Sequence, residues 1–175
     1  IIQFDFGVIA PEVCEDLWSP EGPIRQRSYS GAELVCNISA SPFRLGIVQT
    51  RRELIATRAS DYQACLAYAN LLGANDGLVF DGGGYVNQNG KWMLEAPRWR
   101  AGFAAATVDL DRTSRLRAEN TTWRNDAEEY LADHTPSTMV VVPDHVFSTE
   151  FARSTLLTMV VVPDHVFSTE FARST

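Results

Sequence analysis

A lone cysteine lies in the stretch Val13-Cys14-Glu15-Asp16-Leu17-Trp18, where two carboxylates follow it at once. The apolar residues of Phe4–Ile9 predict a short strand before it, and the prolines and glycine of Ser19–Pro23 predict a loop after it. A thiol just beyond a strand end can attack a carbonyl carbon, because even an unperturbed cysteine is partly thiolate near neutral pH. The alternative is a buried structural cysteine, the commoner role of this residue type. Because the two carboxylates repel a thiolate, a reactive Cys14 requires a neighbouring cation.

The bulk composition is that of a globular protein or of part of one. The 175 residues are 45% apolar and 21% charged, enough for one domain with a core. The net charge of −7 argues against nucleic-acid binding, and no stretch predicts a membrane span or a signal peptide. Three cysteines without framework spacing favour a reducing cytoplasm. Since the chain opens on Ile1-Ile2, inside a predicted strand, we expect a missing N-terminal part.

The first half of the chain alternates strand and helix patterns. Residues 19–32 are expected to form a loop and a short helix, and Glu33–Ile38 to form a buried strand. From Ile47 to Leu72 apolar residues recur at helical spacing, which predicts one long helix. Cys65 would lie on the buried side of that helix, and Gly73 would end it.

The second half is predicted to be mainly β-structure. Leu78–Phe80 has the pattern of a strand that is broken by Gly82–Gly84, and Asn89-Gly90 predicts a hairpin turn. Phe103–Leu110 predicts another strand, followed by a short helical or irregular segment over 112–117. The whole pattern predicts an α/β fold.

Five short segments, in a fixed order along the chain, resemble the motifs of one protein family. They are Val13–Trp18, Gly31–Phe43, Tyr68–Asn70, Val79–Gly84 and Asn120–Arg124. Through them, residues 1 to about 130 resemble the carbon–nitrogen hydrolase (nitrilase) superfamily, and within it the glutaminase domain of glutamine-dependent NAD synthetases. The resemblance implies a four-layer α-β-β-α sandwich, of which this sequence holds a part.

The resemblance also implies catalytic roles. In this superfamily a Cys attacks the amide, a Glu acts as general base and a Lys stabilises the tetrahedral oxyanion. Cys14 matches the nucleophile, and the backbone N–H of Glu15 would be a second oxyanion donor. The family places its Glu and Lys upstream of the cysteine, but the 13 residues before Cys14 contain Glu12 and no lysine. The one lysine of the chain, Lys91, lies in the predicted hairpin, so the triad is incomplete within this sequence.

A substrate-binding role is implied for Ser41, which matches a serine that binds glutamine in the family. Taken alone, a serine before Pro42 is typical of a turn that ends a strand. Six residues later many family members carry a Lys or Arg that also contacts glutamine, but here that position is Ile47. An apolar side chain cannot pair with a carboxylate, so this contact is absent or is made by Arg44 or Arg51.

The remaining conspicuous residues are interpreted as structural. Asp81-Gly82-Gly83-Gly84 predicts a tight, closely packed turn rather than a phosphate loop, because a hairpin and not a helix follows it. Trp92, Trp99 and Trp123 are expected to be packing residues. A solvated face is expected for the arginines Arg98, Arg100, Arg112, Arg115 and Arg117.

Three parts are predicted along the chain. Residues 1–118 form the C-terminal part of a carbon–nitrogen hydrolase (glutaminase) domain, and the polar residues 119–137 form a connector. In the tail, residues 138–175, Thr138–Thr155 recurs letter for letter as Thr158–Thr175, a period of 20 residues. Two undiverged copies indicate a recent duplication or an assembly error rather than a solenoid, so His145 and His165 are not interpreted as a metal pair.

The function implied by the resemblance is that of a piece of a cytoplasmic glutamine-dependent NAD synthetase. Cys14 would form a thioester with glutamine and release ammonia, which amidates deamido-NAD at a separate domain that uses ATP and magnesium. We expect no cofactor, metal, nucleic acid or membrane at this piece, and a homo-oligomer when the enzyme is complete. The 175-residue chain is expected to be inactive alone. The alternatives are a free-standing carbon–nitrogen hydrolase acting on another amide or nitrile, and an inactive truncated product with at most an interaction role.

Overall fold

The computed structural model describes residues 1–142 and the strand at 156–161. Its strands and helices, in chain order, are β1 (Ile2–Phe4), β2 (Gly7–Val13), α1 (Pro23–Tyr29), β3 (Leu34–Ser39), α2 (Ile47–Asp61), β4 (Cys65–Asn70), β5 (Leu72–Asn75), β6 (Leu78–Gln88), β7 (Lys91–Arg98), β8 (Ala104–Asp109), α3 (Leu110–Glu119), α4 (Thr121–Asp133), β9 (Val140–Val141) and β10 (Leu156–Val161). A single turn of 3₁₀ helix, Cys14–Leu17, connects β2 to the loop before α1. Within this described part, none of the helices has the length and apolar character needed to span a bilayer.

One mixed sheet positions the candidate site. Among the described residues it has eight strands, in the order β5-β6-β4-β3-β2-β1-β9, with β7 also paired to β6. The three central strands β2, β3 and β4 run parallel, whereas β1 and β6 are antiparallel to their neighbours β2 and β4. The carboxyl ends of the parallel strands therefore meet at one edge of the sheet, which is where α/β proteins bind ligands.

Apolar residues cover both faces of this sheet. On one face Ala10, Val35 and Leu66 are buried beneath α1, α2 and α4. On the other face Leu34 and Val86 pack against residues of β8 and the start of α3. β8 in turn pairs with β10, so a helical layer, the main sheet and a second β layer follow one another. The α/β class is confirmed, and this order of layers agrees with the sandwich that the resemblance implies.

The predicted strand at Phe4–Ile9 is wrong in its extent. The segment is instead a hairpin, in which Phe4 of β1 pairs with Gly7 of β2 and Asp5-Phe6 forms the turn. The predicted elements that follow are correct, since α1 and β3 lie where a short helix and a buried strand were expected.

The predicted helix Ile47–Leu72 is wrong in its second half. α2 ends at Asp61, Gln63 takes a φ of +45°, and β4 begins at Cys65. β4 is a central strand between β3 and β6, so both of its faces are buried and its residues are almost continuously apolar. Such a run lacks the period of two that would distinguish a strand from a helix.

β6 continues through the glycine triplet at which it was predicted to break. Gly82 and Gly83 have φ values of +65° and +85°, and a Cβ at either position would lie 3.1 Å from Leu72 Cβ or 2.9 Å from Arg98 Cγ. The close packing predicted for these glycines is therefore present inside a strand. The Asn89-Gly90 turn is confirmed, and the strand predicted at Phe103–Leu110 is β8.

The polar segment expected as a connector includes the end of α3 and all of α4. The Asn120 side chain accepts a hydrogen bond from the Trp123 N–H at 3.0 Å and so caps α4. Trp123, Tyr130 and Leu131 then pack against the helix-covered core. This segment lies against the domain because its few apolar residues share one side of a helix.

Each copy of the duplicated segment contributes a strand to a sheet. In the first copy β9 pairs in parallel with β1, and in the second β10 pairs antiparallel with β8. The rest of both copies, including His145 and His165, lies outside the described residues.

Candidate active site

Cys14 lies at the carboxyl end of β2, on the edge where the parallel strands end. It opens the 3₁₀ turn with a φ of +42°, a left-handed conformation that is uncommon for a residue with a side chain. Strained backbone of this kind is concentrated at functional sites, where it aims a reactive side chain. The backbone N–H of Glu15, the expected oxyanion donor, follows directly within the same turn.

Side chains from three elements hold this turn in place. The Asp16 carboxylate accepts a hydrogen bond from Val13 N at 3.0 Å, within the turn itself. Asn37 Nδ2 of β3 donates to the carbonyl oxygen of Cys14 at 3.4 Å, and Arg58 Nε of α2 donates to that of Leu17 at 3.2 Å. The unusual backbone of the cysteine is therefore fixed from the sheet and from a helix.

A row of buried polar residues crosses the sheet from Glu12, which lies two residues before Cys14 in β2. Its members lie opposite one another in register and are each 1% exposed: Glu12, Asn37, Tyr68 and Tyr85. Neither Glu12 carboxyl oxygen, nor either tyrosine hydroxyl, has a hydrogen-bond partner within the described residues. Burial raises the pKa of Glu12 from 4.5 to about 7, although Arg27, 3.5 Å away, opposes the rise. Sequence reasoning named Glu12 without giving it a role, because nothing local shows that it is buried.

Ser41 lies on the same edge, just after the end of β3. Its N–H donates to Asn70 Oδ1 at 2.8 Å, and its carbonyl oxygen accepts from Arg51 Nη2 at 2.7 Å. Arg51 is only 1% exposed and also pairs with the fully buried Asp81, Nη1 to Oδ1, at 2.7 Å. Arg98 reaches the other oxygen of that carboxylate at 3.1 Å.

Ser41 and Cys14 lie at the same edge of the sheet, because they follow the ends of the paired parallel strands β3 and β2. Burial raises the pKa of the Tyr68 phenol in the neighbouring strand β4, and Ser39, Arg51 and Ser41 oppose that rise. The other two cysteines lie within strands, Cys36 in β3 and Cys65 at the start of β4. Burial raises the pKa of Cys36 to about 11 and is the main cause that raises that of Cys65 to about 12.

The structure also shows what is distant from Cys14. Lys91 begins β7 opposite Gln88, near the amino end of β4, so it lies at the opposite edge of the sheet. Ile47 is 2% exposed and belongs to the core, while Arg44 is exposed. No group of three His, Cys, Asp or Glu residues that could hold a metal ion occurs within residues 1–142.

Of the arginines predicted on a solvated face, Arg117 is buried, at 8% exposed, and Arg98 is partly exposed but pairs with buried Asp81. Arg117 donates to the carbonyl oxygens of Ala32 at 2.7 Å and Gln63 at 2.9 Å, and burial lowers its pKa to about 10. The prediction is wrong for Arg117 because its partners lie far away in the sequence. The three tryptophans do contact other rings or guanidinium groups, as expected of packing residues.

The place of Cys14, on a left-handed turn at the edge of an α/β sheet, agrees with a comparison of the sequence with known families. The family described as Carbon-nitrogen hydrolase matches residues 1–118, which is more than half of the chain. The chain belongs to this family.

Within this family, the chain is similar to proteins named as glutamine-dependent NAD synthetases. The glutamine-dependent NAD(+) synthetase of Aquifex aeolicus is 37% identical over 125 residues, which are 71% of this chain and 22% of the relative. The solved glutamine-dependent NAD+ synthetase of Acinetobacter baumannii is 32% identical with a TM-score of 0.50, over 53% of this chain and 18% of that one. A carbon-nitrogen hydrolase of Helicobacter pylori has a TM-score of 0.60 over 75% of this chain and 50% of its own, but at 22% identity it shows the fold alone. The chain thus spans about a fifth of the length of the NAD synthetases that it matches.

Proposed function

We propose that this chain is part of the glutaminase site of a glutamine-dependent NAD synthetase. The observation that carries the proposal is Cys14, placed by a strained turn at the carboxyl edge of the sheet in a chain of the carbon-nitrogen hydrolase family. The likeness to proteins named as glutamine-dependent NAD synthetases supports glutamine as the amide substrate.

In the proposed reaction the Cys14 sulfur attacks the side-chain amide carbon of glutamine. The C–N bond then breaks, ammonia leaves with a proton, and a glutamyl thioester remains on the cysteine. Water hydrolyses the thioester to glutamate and restores the thiol. The N–H of Glu15 would donate to the tetrahedral oxyanion, and Ser41 would hold the amino-acid end of glutamine.

A base and a cation must be added from outside the described residues. Lys91 lies at the wrong edge of the sheet, and the Glu12 carboxyl is buried beneath the helices. We therefore expect that these 175 residues alone release no ammonia from glutamine. The whole enzyme would pass ammonia to deamido-NAD, with ATP and magnesium, at a domain that is not represented here. Within residues 1–142 no group of three metal-ligating side chains occurs and the glycine triplet lies within a strand, which supports placing ATP and magnesium on another domain.

Other parts of the proposal follow the same likeness. Residues 1–118 would be the C-terminal part of the glutaminase domain, and the three free cysteines within the described residues suit a cytoplasmic location. The complete enzyme would be a homo-oligomer.

The test begins with DNA sequence on both sides of this reading frame. An in-phase upstream segment with a Glu and a Lys, and a downstream synthetase domain, are the expected result. The longer protein should then release ammonia from glutamine, and Cys14→Ala should abolish that release. Turnover that survives Cys14→Ala, or a preference for nitriles or other amides over glutamine, would contradict the proposal.

A further inference from the structure

Ser41 is held by hydrogen bonds at its N–H, at its carbonyl oxygen and at its hydroxyl oxygen. Asn70 accepts from its N–H at 2.8 Å, and its carbonyl oxygen accepts from both Asn70 Nδ2, at 3.1 Å, and Arg51 Nη2, at 2.7 Å. The hydroxyl oxygen accepts twice from one guanidinium group, from Arg51 Nε at 3.3 Å and Nη2 at 3.2 Å.

The contacts with Arg51 limit the Ser41 hydroxyl to one role in hydrogen bonding. A serine hydroxyl has one hydrogen to donate and two lone pairs with which to accept. Arg51 fills both accepting positions, so the Ser41 hydroxyl can act toward a ligand only as a donor. By distance and angle it makes no hydrogen bond as a donor within the described part of the chain, and the Tyr68 phenol lies beside it. A ligand atom at this point must therefore be an acceptor, such as a carboxylate oxygen.

The guanidinium group is fixed in turn by a buried carboxylate. Arg51 Nη1 pairs with Asp81 Oδ1 at 2.7 Å, and Asp81 also accepts from Asn70 Nδ2 at 3.2 Å. Because Arg98 pairs with the second oxygen of Asp81, two guanidinium groups surround one carboxylate and the cluster has a net positive charge. A donor beside a net positive cluster favours an anionic acceptor over a neutral one.

We infer that Arg51, oriented by Asp81, is a positioning residue that makes Ser41 an obligatory hydrogen-bond donor to the carboxylate of an amino-acid substrate. The inference rests on the proposed function, because it assigns a role within the glutamine site. It also explains how the site can lack a basic residue at position 47. Ile47 is in the core, and the positive charge acts instead through Ser41 from a buried arginine four residues further along the same helix.

The test measures labelling of Cys14 in the 175-residue chain, for which turnover is not needed. The reagents are a chloromethyl ketone analogue of glutamine with a free α-carboxylate, and its methyl ester. In each case the Cys14 thiolate displaces chloride and forms a thioether, which mass spectrometry locates and counts. Iodoacetamide, which carries no amino-acid group, measures the reactivity of Cys14 itself. The raised pKa values of Cys36 and Cys65 keep those thiols protonated and slow to react near pH 7.5.

We expect saturable labelling of the wild-type chain, with the acid binding at least about tenfold more tightly than the ester. Arg51→Lys keeps the charge but cannot make the forked contact, and Asp81→Asn removes the group that orients it. Both variants, and Ser41→Ala, should lose most of the preference for the acid while the iodoacetamide rate stays within about twofold. Arg52→Lys is the matched control, because the neighbouring Arg52 pairs with Glu95 at the surface and should keep the full preference.

The outcomes separate the inference from the proposed function. If Ser41→Ala loses the preference but Arg51→Lys and Asp81→Asn keep it, the positioning role is wrong and glutamine recognition stands. If Arg51→Lys or Asp81→Asn changes the rates of labelling by iodoacetamide and by both chloromethyl ketones by the same factor, Arg51 has only a structural role and the inference is again wrong. If the wild-type chain does not distinguish the acid from the ester, recognition of an amino-acid carboxylate by this site is itself overturned.

Discussion

Two carboxylates are buried near the carboxyl edge of the sheet, and they have very different surroundings. Asp81 is paired with two arginines and accepts a hydrogen bond from Asn70. Glu12 has one ion-pair partner within the described residues, Arg27 at 3.5 Å, and Asn37 and Arg58 favour its charged form more weakly. A buried charge is tolerated when it is paired and hydrogen-bonded, whereas an isolated one takes up a proton instead. The domain therefore pairs one buried carboxylate fully and leaves the other, Glu12, with a pKa raised to about 7.

The largest expected effect comes from removing the satisfied carboxylate. Asp81→Ala leaves the Arg51 guanidinium buried without a counter-charge, so the free energy of unfolding should fall by about 3–5 kcal/mol. Urea denaturation followed by circular dichroism measures this change. The control is Glu95→Ala, which breaks the exposed pair of the adjacent Arg52 and should cost at most about 1 kcal/mol. Equal losses in the two variants would show that the buried pair does not differ from a surface one.

The second prediction concerns the unsatisfied carboxylate and is a dependence on pH. Because the folded-state pKa of Glu12 is raised from 4.5 to about 7, the folded protein holds a proton there that the unfolded chain has released. The free energy of unfolding should therefore fall as pH rises from about 4.5 to about 7. Glu12→Gln resembles the protonated form at every pH, so it should be more stable than wild type by about 3 kcal/mol at pH 8 and by no more than about 1 kcal/mol at pH 5.

The free energies of unfolding of wild type and Glu12→Gln, measured by urea denaturation at pH 5 and pH 8, separate the contribution of Glu12 from those of the other titrating groups. Glu128→Gln removes an exposed carboxylate and should leave the difference between pH 5 and pH 8 unchanged. A Glu12→Gln variant that tracks wild type at both pH values would mean that Glu12 is solvated or paired in solution.

The smallest effect is expected from Arg27, the ion-pair partner of Glu12. Arg27→Gln removes the charge that most strongly opposes the rise in the Glu12 pKa, together with a hydrogen bond of 2.6 Å to the carbonyl oxygen of Pro11. We expect a loss of about 1 kcal/mol at pH 8, since Arg27 is partly exposed, and a smaller loss at pH 5. Thermal melts at the two pH values measure the difference. In the double variant with Glu12→Gln, the pH-dependent part of this loss should disappear, and its persistence there would assign it to another group.

Local sequence patterns correctly predicted the turns whose conformation is set by residues adjacent in the sequence. The cysteine after a strand and before a proline-rich loop, and the Asn89-Gly90 turn, are both where the sequence places them. The resemblance pointed to Cys14, Glu15 and Ser41, and the structure brings all three to one edge of the sheet. Their proposed chemical roles remain predictions, since the geometry shows only where they lie.

The features that the sequence did not predict depend on contacts between residues that are distant in the sequence. Asp81 and Arg51 are separated by 30 positions, so no pattern indicates that they pair. The same holds for Arg117, whose carbonyl partners lie more than 50 residues earlier. β4 was predicted as a helix because burial on both faces removes the alternation that marks a strand. Burial and pairing are properties of the whole fold, and together they raise the pKa of Glu12 to about 7.

At position 14 the left-handed backbone makes glycine the more stable residue, whereas the proposed chemistry requires the cysteine thiol. A side chain at that φ costs about 1 kcal/mol relative to glycine, which adopts the conformation freely. A selection for thermal stability alone would therefore favour glycine at position 14, and only a selection that uses the thiol would retain the cysteine. Random variants of this chain, sorted once for folding and once for thiol chemistry, would then diverge first at this residue.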